Sequence, residues 1–411
     1  MYFKVLSSDW KHHGLQYKLG LNVDTQTFNP SGSYQPGGLY YTTAEFIPLF
    51  LEYRTQIAEI SIPADAQVYA DPAGDRWKAD KLIIDRVYPI EDWDKWKDTD
   101  FCLAAVKKYG LALKYVLNQT REICIAAIQQ SNEALKFIRK QTEEICILAV
   151  KKYGWALEFV KEQTEEICLA AVQQNGEVLG FINKYTDKIC LAAVQNNGYA
   201  LKYIKEQTPE ICLAAVRQDG RALEYVQNQT LEICLAAVQQ NGWALEFVKE
   251  QTREICLAAV QQNGLVLSHV LNQTREICLV AVCQDGCSLE YVKEQTEEIC
   301  RAAVCNDNWT LWYVKEQTNE ICLIAVQSDG CALQFVKEQT SEICLIAVKQ
   351  CGWELQYVKE PTNEICLAAV KQNKQAFRFV QNPTPEIYAL APDNEEIFHY
   401  VPCHNMYRIK H

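Results

Sequence analysis

The chain has 411 residues, more than one compact core usually supports, so its length calls for several domains or a repeat array. Its formal charge of −12 divides as −3 over residues 1–97 (10 basic, 13 acidic) and −9 over residues 98–411 (30 basic, 39 acidic), and a chain this short of clustered Lys and Arg is a poor counterion-releasing partner for DNA or RNA. The opening MYFKVLSSDWKHHG lacks the apolar core of a signal peptide and no window reaches the length of a membrane span, so a cytosolic protein that does not engage a membrane is expected.

Residues 1–97 carry no repeat and read as a small α+β domain together with its junction to the remainder of the chain. Strands are expected over Tyr2–Leu6, Gly38–Thr42, Ile57–Ile62 and Lys81–Val87, separated by turn-forming runs such as Gln35-Pro-Gly-Gly and Asp71-Pro-Ala-Gly-Asp. A helix is expected from Thr43 through Tyr53, capped by Thr42 or Thr43. The polar run from Glu91 to Asp100 leads into the next region and reads as a junction.

From Asp98 onward the chain repeats every 22 residues without an insertion, and the Cys of an "EIC" phrase recurs at Cys102, Cys124, Cys146, Cys168, Cys190, Cys212, Cys234, Cys256, Cys278, Cys300, Cys322, Cys344 and Cys366. So fixed a period means an array in which each unit packs on its neighbours. The fold class is therefore mostly α: an α-solenoid of short helical-hairpin repeats carrying a small N-terminal α+β domain. Residues 98–383 hold thirteen units, and residues 384–411, with Tyr388 in the Cys register, read as a degenerate repeat and C-terminal cap.

Each unit reads as two short helices. A Thr four before the Cys, as at Thr120, Thr208 or Thr252, can accept hydrogen bonds from the free N–H groups of the first helix. A Gly eight after the Cys, as at Gly220 and Gly264, comes after Asn, Asp or Tyr and reads as a left-handed helix stop. The second helix, such as Trp243–Glu250, turns Leu245 and Val248 inward, while its Glu and Lys read as a solvated face. Helices of this length are marginal alone, so stacking must stabilise them.

Thirteen of the 19 Cys occupy one helical register. Equivalent positions on stacked helices lie about 8–10 Å apart, too far for the Cα separation of a disulfide, so these thiols are expected to be reduced, small and buried. A second concentration, Cys278, Cys283, Cys287, Cys300, Cys305, Cys331 and Cys351, contains no CxxC pair and no intervening His, so metal-ligand spacing is absent and no metal or cofactor is expected.

The repeat QTxEICLAAVxQNGxALxYVKE resembles short repeats, known only as a domain of unknown function, that are abundant in mimivirus-type giant viruses. The opening is similar to the module that precedes ankyrin and other repeats in proteins of these viruses, through Gly20-Leu-Asn, Pro30-Ser-Gly-Ser-Tyr-Gln-Pro-Gly-Gly-Leu-Tyr-Tyr-Thr-Thr, Ile60-Ser-Ile-Pro-Ala-Asp-Ala and Trp77-Lys-Ala-Asp-Lys. The resemblance implies a protein of the infected host cell's cytoplasm or of the virion, and it brings no reaction with it.

The function expected is a noncatalytic scaffold for a host or viral protein. Core registers keep one residue type, but the register nine after each Cys varies in size and charge, as a surface position should. There Trp155, Tyr199, Arg221, Trp243, Trp309 and Trp353 form a candidate contact ridge, since interfaces favour these residue types. The alternative is that each Trp is local packing on the next unit. One unit is irregular, with Arg301 where others have Leu or Ile, Asn308 for Gly, and Trp312 beside Trp309. Two other functions compete. The order of elements in the N-terminal domain resembles ADP-ribosyltransferase-like folds, with His12, Tyr17, Thr42 and Thr43 as nicotinamide-site residues and Asp80 or Asp85 as the acid. The Gln and Asn after each first helix could instead read RNA bases.

Overall fold

The computed structural model describes residues 1–12, 14–31, 35–51 and 54–391. The chain divides into two compact units, Met1–Tyr203 and Ile204–His411.

The first unit begins with nine strands: β1 Tyr2–Leu6, β2 Lys11–His12, β3 Leu15–Gln16, β4 Gly20–Val23, β5 Leu39–Thr43, β6 Gln56–Ser61, β7 Val68–Ala70, β8 Trp77–Ala79 and β9 Lys81–Pro89. Seven form one sheet in the order β4-β9-β6-β1-β5-β8-β7, while β2 and β3 pair separately. The four longest strands lie within a residue or two of the expected positions. The five shorter ones were not expected, because too few residues carry an alternating pattern and long-range pairing alone defines them.

Strand β1 is buried on both faces, so it reads as a continuous apolar run broken only by Lys4. Leu6 packs with Tyr17, Leu39, Tyr41, Ala58, Ile60, Leu82 and Ile84 in the main core. On the opposite face Phe3 meets Trp93 edge-on at 5.4 Å. Lys4 pairs in register with Ala58 and so points into the core face, where its ammonium donates to the Tyr40 carbonyl at 2.6 Å and lies 4.7 Å from the Tyr17 ring.

The helix expected from Thr43 is a 3-10 helix, Ala44–Phe50, with Pro48 inside it. Pro48 lacks the N–H an α-helical ladder needs, and Thr43 stands at the N-cap without a side-chain bond. The expected end at Tyr53 lies outside the described residues. The junction is more than polar: two 3-10 turns, Ile90–Asp92 and Asp94–Lys97, present Trp93 and Trp96 to the first repeat. Trp96 is fully buried, donates its indole N–H to the Ile90 carbonyl at 2.7 Å and stacks on Tyr115 at 5.5 Å. Trp93 meets Phe101 at 5.1 Å, and Lys108 pairs with Glu45 at 2.8 Å. The sheet domain thus covers the otherwise open apolar end of the array.

Every full repeat then has the same form. In the second unit, Thr252 caps the α-helix Arg253–Gln262 by accepting from the Ile255 N–H, and burial of Ile255, Val260, Leu267 and Val270 contributes about 1.5–3 kcal/mol for each side chain. Asp98 takes the Thr position in the first repeat and accepts from the N–H groups of Asp100 and Phe101. The second helix, however, is a six-residue 3-10 helix, here Gly264–His269, not the longer α-helix expected.

The left-handed stop is also corrected. None of the repeat glycines has a positive φ, and the residue before each is extended, as at Asn263 with φ −152° and ψ 112°. Asn263 is an N-cap, its Oδ1 accepting from the Leu265 N–H at 3.0 Å. Glycine is required by a neighbour: a Cβ at Gly264 would lie 2.4 Å from the Ala281 carbonyl of the next unit, and one at Gly220 equally close to the Ala237 carbonyl. At the C-terminal end, Thr384 caps the short helix Pro385–Tyr388. The rest of the expected cap, from 392 on, lies outside the described residues.

Candidate functional site

A 3-10 helix has three residues per turn, so positions nine and twelve after the Cys eclipse each other on its outer side while positions ten and eleven turn inward. In the first unit Trp155 is 44% exposed, and its ring meets Phe181 of the next repeat edge-on at 5.5 Å. Tyr199 is half-buried.

In the second unit Trp243 and Trp309 are 39% and 45% exposed. Trp243 meets His269 at 5.4 Å, Trp309 meets Phe335 at 5.1 Å, and the half-buried Trp353 meets Phe379 at 5.6 Å. Arg221 is exposed, with its guanidinium 6.0 Å from the Phe247 ring. The two expectations for this register therefore describe one geometry: each Trp rests an edge on an aromatic 26 residues later and leaves other parts of its ring to solvent. Not every repeat takes part, since Cys331 in the same register is buried against Glu354.

In the irregular repeat, Trp312 is 68% exposed and meets Phe335 at 5.8 Å, so two Trp rings share one Phe. Arg301 pairs with Glu297 at 3.5 Å and Glu320 at 2.9 Å. That pairing explains how a cation is held in a Leu register, at a half-exposed place on its helix.

Two polar ladders hold the repeats at this spacing, and reading the sequence missed both. The Gln before most cap Thr residues joins consecutive repeats: the amide of Gln273 donates to the Leu267 and Tyr291 carbonyls at 3.2 and 2.9 Å, and its oxygen accepts from the Lys293 N–H at 3.0 Å and from the Cys278 thiol. Where Tyr185 replaces this Gln, its hydroxyl donates to the Tyr203 carbonyl instead. The second ladder uses the Gln or Asn six after the Cys: Gln284 accepts from the Gly264 N–H at 2.6 Å, and Gln240 from Gly220 likewise. These are among the amides considered as base readers, and their oxygens are engaged within the stack. The signal for both was present, because an amide that recurs at one register in most units is placed to do the same job in each.

The Lys of the second helix is likewise more than a solvated face. The Lys337 ammonium donates to the Val314 and Lys315 carbonyls of the preceding repeat, both at 2.9 Å, and Lys249 does the same to Gln227 at 2.9 Å. A cation at the C-terminal end of a short helix meets its free carbonyls and its negative dipole end.

All thirteen register cysteines are free and buried. Burial pushes their thiols upward, with Cys102 and Cys190 raised to about 11, so they are poor nucleophiles at neutral pH. Cys283 and Cys305 are exposed. No three His, Cys, Asp or Glu side chains among the described residues are arranged to hold a metal ion.

In the N-terminal domain a cleft of about 210 Å³ is lined by His12, Tyr17, Asp24, Gln35, Gly37 and Tyr40, among others. Of the four nicotinamide-site candidates it therefore takes His12 and Tyr17. Thr42 is buried with its hydroxyl donating to the Asp75 carbonyl at 2.6 Å, and Thr43 ends β5 at the N-cap of the 3-10 helix. Neither acid lines the cleft: Asp80 accepts from the Gln67 N–H and Asp85 from the Ser61 hydroxyl.

An antiparallel sheet domain leading into stacked helical repeats defines a helical-repeat protein of the α-solenoid class. The chain belongs to the family described as a domain of unknown function, DUF4116, whose model matches residues 98–296 and 319–382 in overlapping windows. The repeat carrying Arg301, Asn308 and Trp312 falls between those stretches. The chain is also similar to a protein named for ankyrin repeats from Acanthamoeba polyphaga mimivirus, at 31% identity over 24% of this chain and 51% of that protein. An uncharacterised protein of the same virus is 31% identical over 24% of this chain and 73% of its own length, and another is 28% identical over 25% and 31%. The match thus spans about half of the first of these relatives. No solved structure matches. Among the described residues no helix is long and apolar enough to cross a membrane.

Proposed function

We propose that the chain is a noncatalytic interaction scaffold that presents its second-helix face to a host or viral protein in the cytoplasm of an infected cell or in the virion. One observation carries this reading. In an array whose core registers are nearly invariant, the register nine after the Cys varies and places Trp155, Trp243 and Trp309 about two-fifths exposed to solvent, an arrangement that is costly in water unless it is used. The relative named for ankyrin repeats supports a repeat-based scaffold in general. The register thiols are buried and the acids proposed for transferase chemistry are engaged elsewhere, so the observations favour binding over catalysis.

The test is crosslinking and affinity purification of the tagged full chain from infected cells, with and without Trp155→Ala, Trp243→Ala and Trp309→Ala. A partner enriched by the native chain and lost with these variants supports the scaffold. Enrichment indifferent to all three, or nicotinamide release from NAD by the purified chain, overturns it.

A further inference from the structure

The exposed ridge of the second unit contains cation seats, and some of them are filled from within. Arg378, twelve after Cys366, places its guanidinium 5.8 Å from the ring of Trp353 in the preceding repeat and 5.6 Å from Phe379. Arg221 lies 6.0 Å from the Phe247 ring. The first unit repeats the theme, with the Lys136 ammonium 5.8 Å from Phe159. A guanidinium or ammonium at such distances is drawn to the negative face of the ring.

The same geometry recurs elsewhere without its cation. The position that Arg378 occupies relative to Trp353 is Ser268 relative to Trp243 and Gln334 relative to Trp309. Ser268 is too short to cover a neighbouring ring and turns its hydroxyl to the Leu265 carbonyl. Gln334 donates its amide to the Cys331 carbonyl at 3.0 Å. Charge beside the Trp243 seat and over the repeats as a whole favours a cation from outside. Glu246 is eclipsed with Trp243 on the same 3-10 helix, the Lys249 ammonium is tied back to main-chain carbonyls, and residues 98–411 carry 39 acidic against 30 basic groups, a net −9.

We infer that the Trp243–His269 and Trp309–Trp312–Phe335 clusters are open seats for the arginine side chains of a basic peptide segment in a partner protein. This deepens the scaffold reading and rests on it, by naming the chemistry of the partner. Arg is favoured over Lys because its planar, weakly hydrated guanidinium stacks on an indole while still donating to a carboxylate such as Glu246.

The test uses the full chain and short fluorescent peptides rich in Arg, the same peptides with Lys, acidic peptides of equal length, and single-stranded RNA, read by anisotropy and Trp quenching. Saturable binding is expected for the Arg peptide, weaker binding for Lys, and none for the acidic peptide. The pair Trp309→Ala and Trp312→Ala should weaken the Arg peptide about tenfold, the loss expected when a cation–π contact is removed. A second pair keeps the outcome independent of any effect on folding. Ser268→Arg and Gln334→Arg should fill the seats from within, as Arg378 does, and weaken the peptide while leaving every Trp in place. No saturable binding of the Arg peptide, equal binding of the acidic peptide, preferential binding of RNA, or binding unchanged by both pairs overturns the inference. A partner captured from infected cells in a Trp-dependent way, alongside failure of the Arg peptide, would sink the arginine chemistry and leave the scaffold standing.

Discussion

The sheet domain and the repeats solve the burial of polar groups in different ways. In the sheet, strands far apart in sequence close a core around Leu6 and Ile84, and Lys4 is buried against the Tyr40 carbonyl and the Tyr17 ring. In the array the bonds are made by residues within about one unit, and half-buried amides recur at one register, as at Gln229, Gln251 and Gln273, while the fully buried Ser288, Thr310 and Glu354 are local departures. The sheet tolerates an individual solution because each of its sites occurs once. The repeat relies on one solution that works in most units and departs from it only locally, as where Tyr185 replaces the Gln or Glu354 is buried against Cys331.

Breaking one amide rung separates the two regions most sharply. Gln273→Leu removes the bonds to the Leu267 and Tyr291 carbonyls and from the Lys293 N–H, each contributing about 0.5–1.5 kcal/mol net at a partly solvated place. A loss of about 2–4 kcal/mol in urea unfolding, monitored by helical circular dichroism, is expected, with the Trp93 and Trp96 environment of the sheet domain little changed in near-ultraviolet dichroism. Equal loss of both signals would mean the regions unfold as one.

Next in size is Gly220→Ala. The new methyl would sit 2.4 Å from the Ala237 carbonyl, and the repeats must part to admit it, at a cost of about 1–3 kcal/mol by the same measurement. Had the glycine served a left-handed turn, Gly220→Asn would be the benign change. The close approach predicts that Asn is as damaging as Ala.

The two regions should also respond oppositely to alkali. The folded-state ammonium of Lys4 is depressed from 10.5 to about 7 by burial and by Arg54. Between those values the unfolded chain holds a proton that the folded one has released, so the sheet domain gains stability as pH rises through that window. Tyr17, Tyr41 and Tyr88 are pushed upward, chiefly by burial, so this gain is reversed above their ordinary value of 10.0. The array behaves otherwise, because its buried thiols keep protons that an unfolded chain loses from about pH 9, and its stability falls as pH rises beyond that. Melting monitored separately in the two regions at about pH 7, 9 and 10 checks the signs. Parallel changes would contradict the placement of Lys4 or of the thiols.

A smaller effect concerns reactivity. Cys283 and Cys305 should react with a thiol reagent at once in native protein, Cys287 more slowly, and the thirteen register thiols only on denaturation. Mass-spectrometric mapping of early modification on Cys256 or Cys278 would show that the helices open more readily than their burial implies.

Much of the array was legible because its residues repeat. The Thr caps, the buried thiols and the two-helix unit all come from chemistry that needs only neighbours in sequence. What was hidden depends on the adjacent repeat. Asn263-Gly264 fits a left-handed stop and an N-cap equally well in one dimension, and only the Ala281 carbonyl of the next unit decides between them. Phe335 reads as an ordinary apolar residue until Trp309 and Trp312 are seen against it. In the sheet domain, Trp77–Ala79 has too few residues to announce a strand, and its pairing with β5 and β7 makes it one.

The most direct measurement on the ridge is the thermal melt of the full chain carrying Trp243→Ala and Trp353→Ala, read beside partner capture. If the exposed Trp rings serve a partner, the edge contacts with His269 and Phe379 contribute only about 0.5–1.5 kcal/mol each, so melting shifts little while capture is lost. A cooperative loss of several kcal/mol, as truncation of a core Trp produces, with capture intact, would show that these residues belong to the packing of the array and would contradict the account.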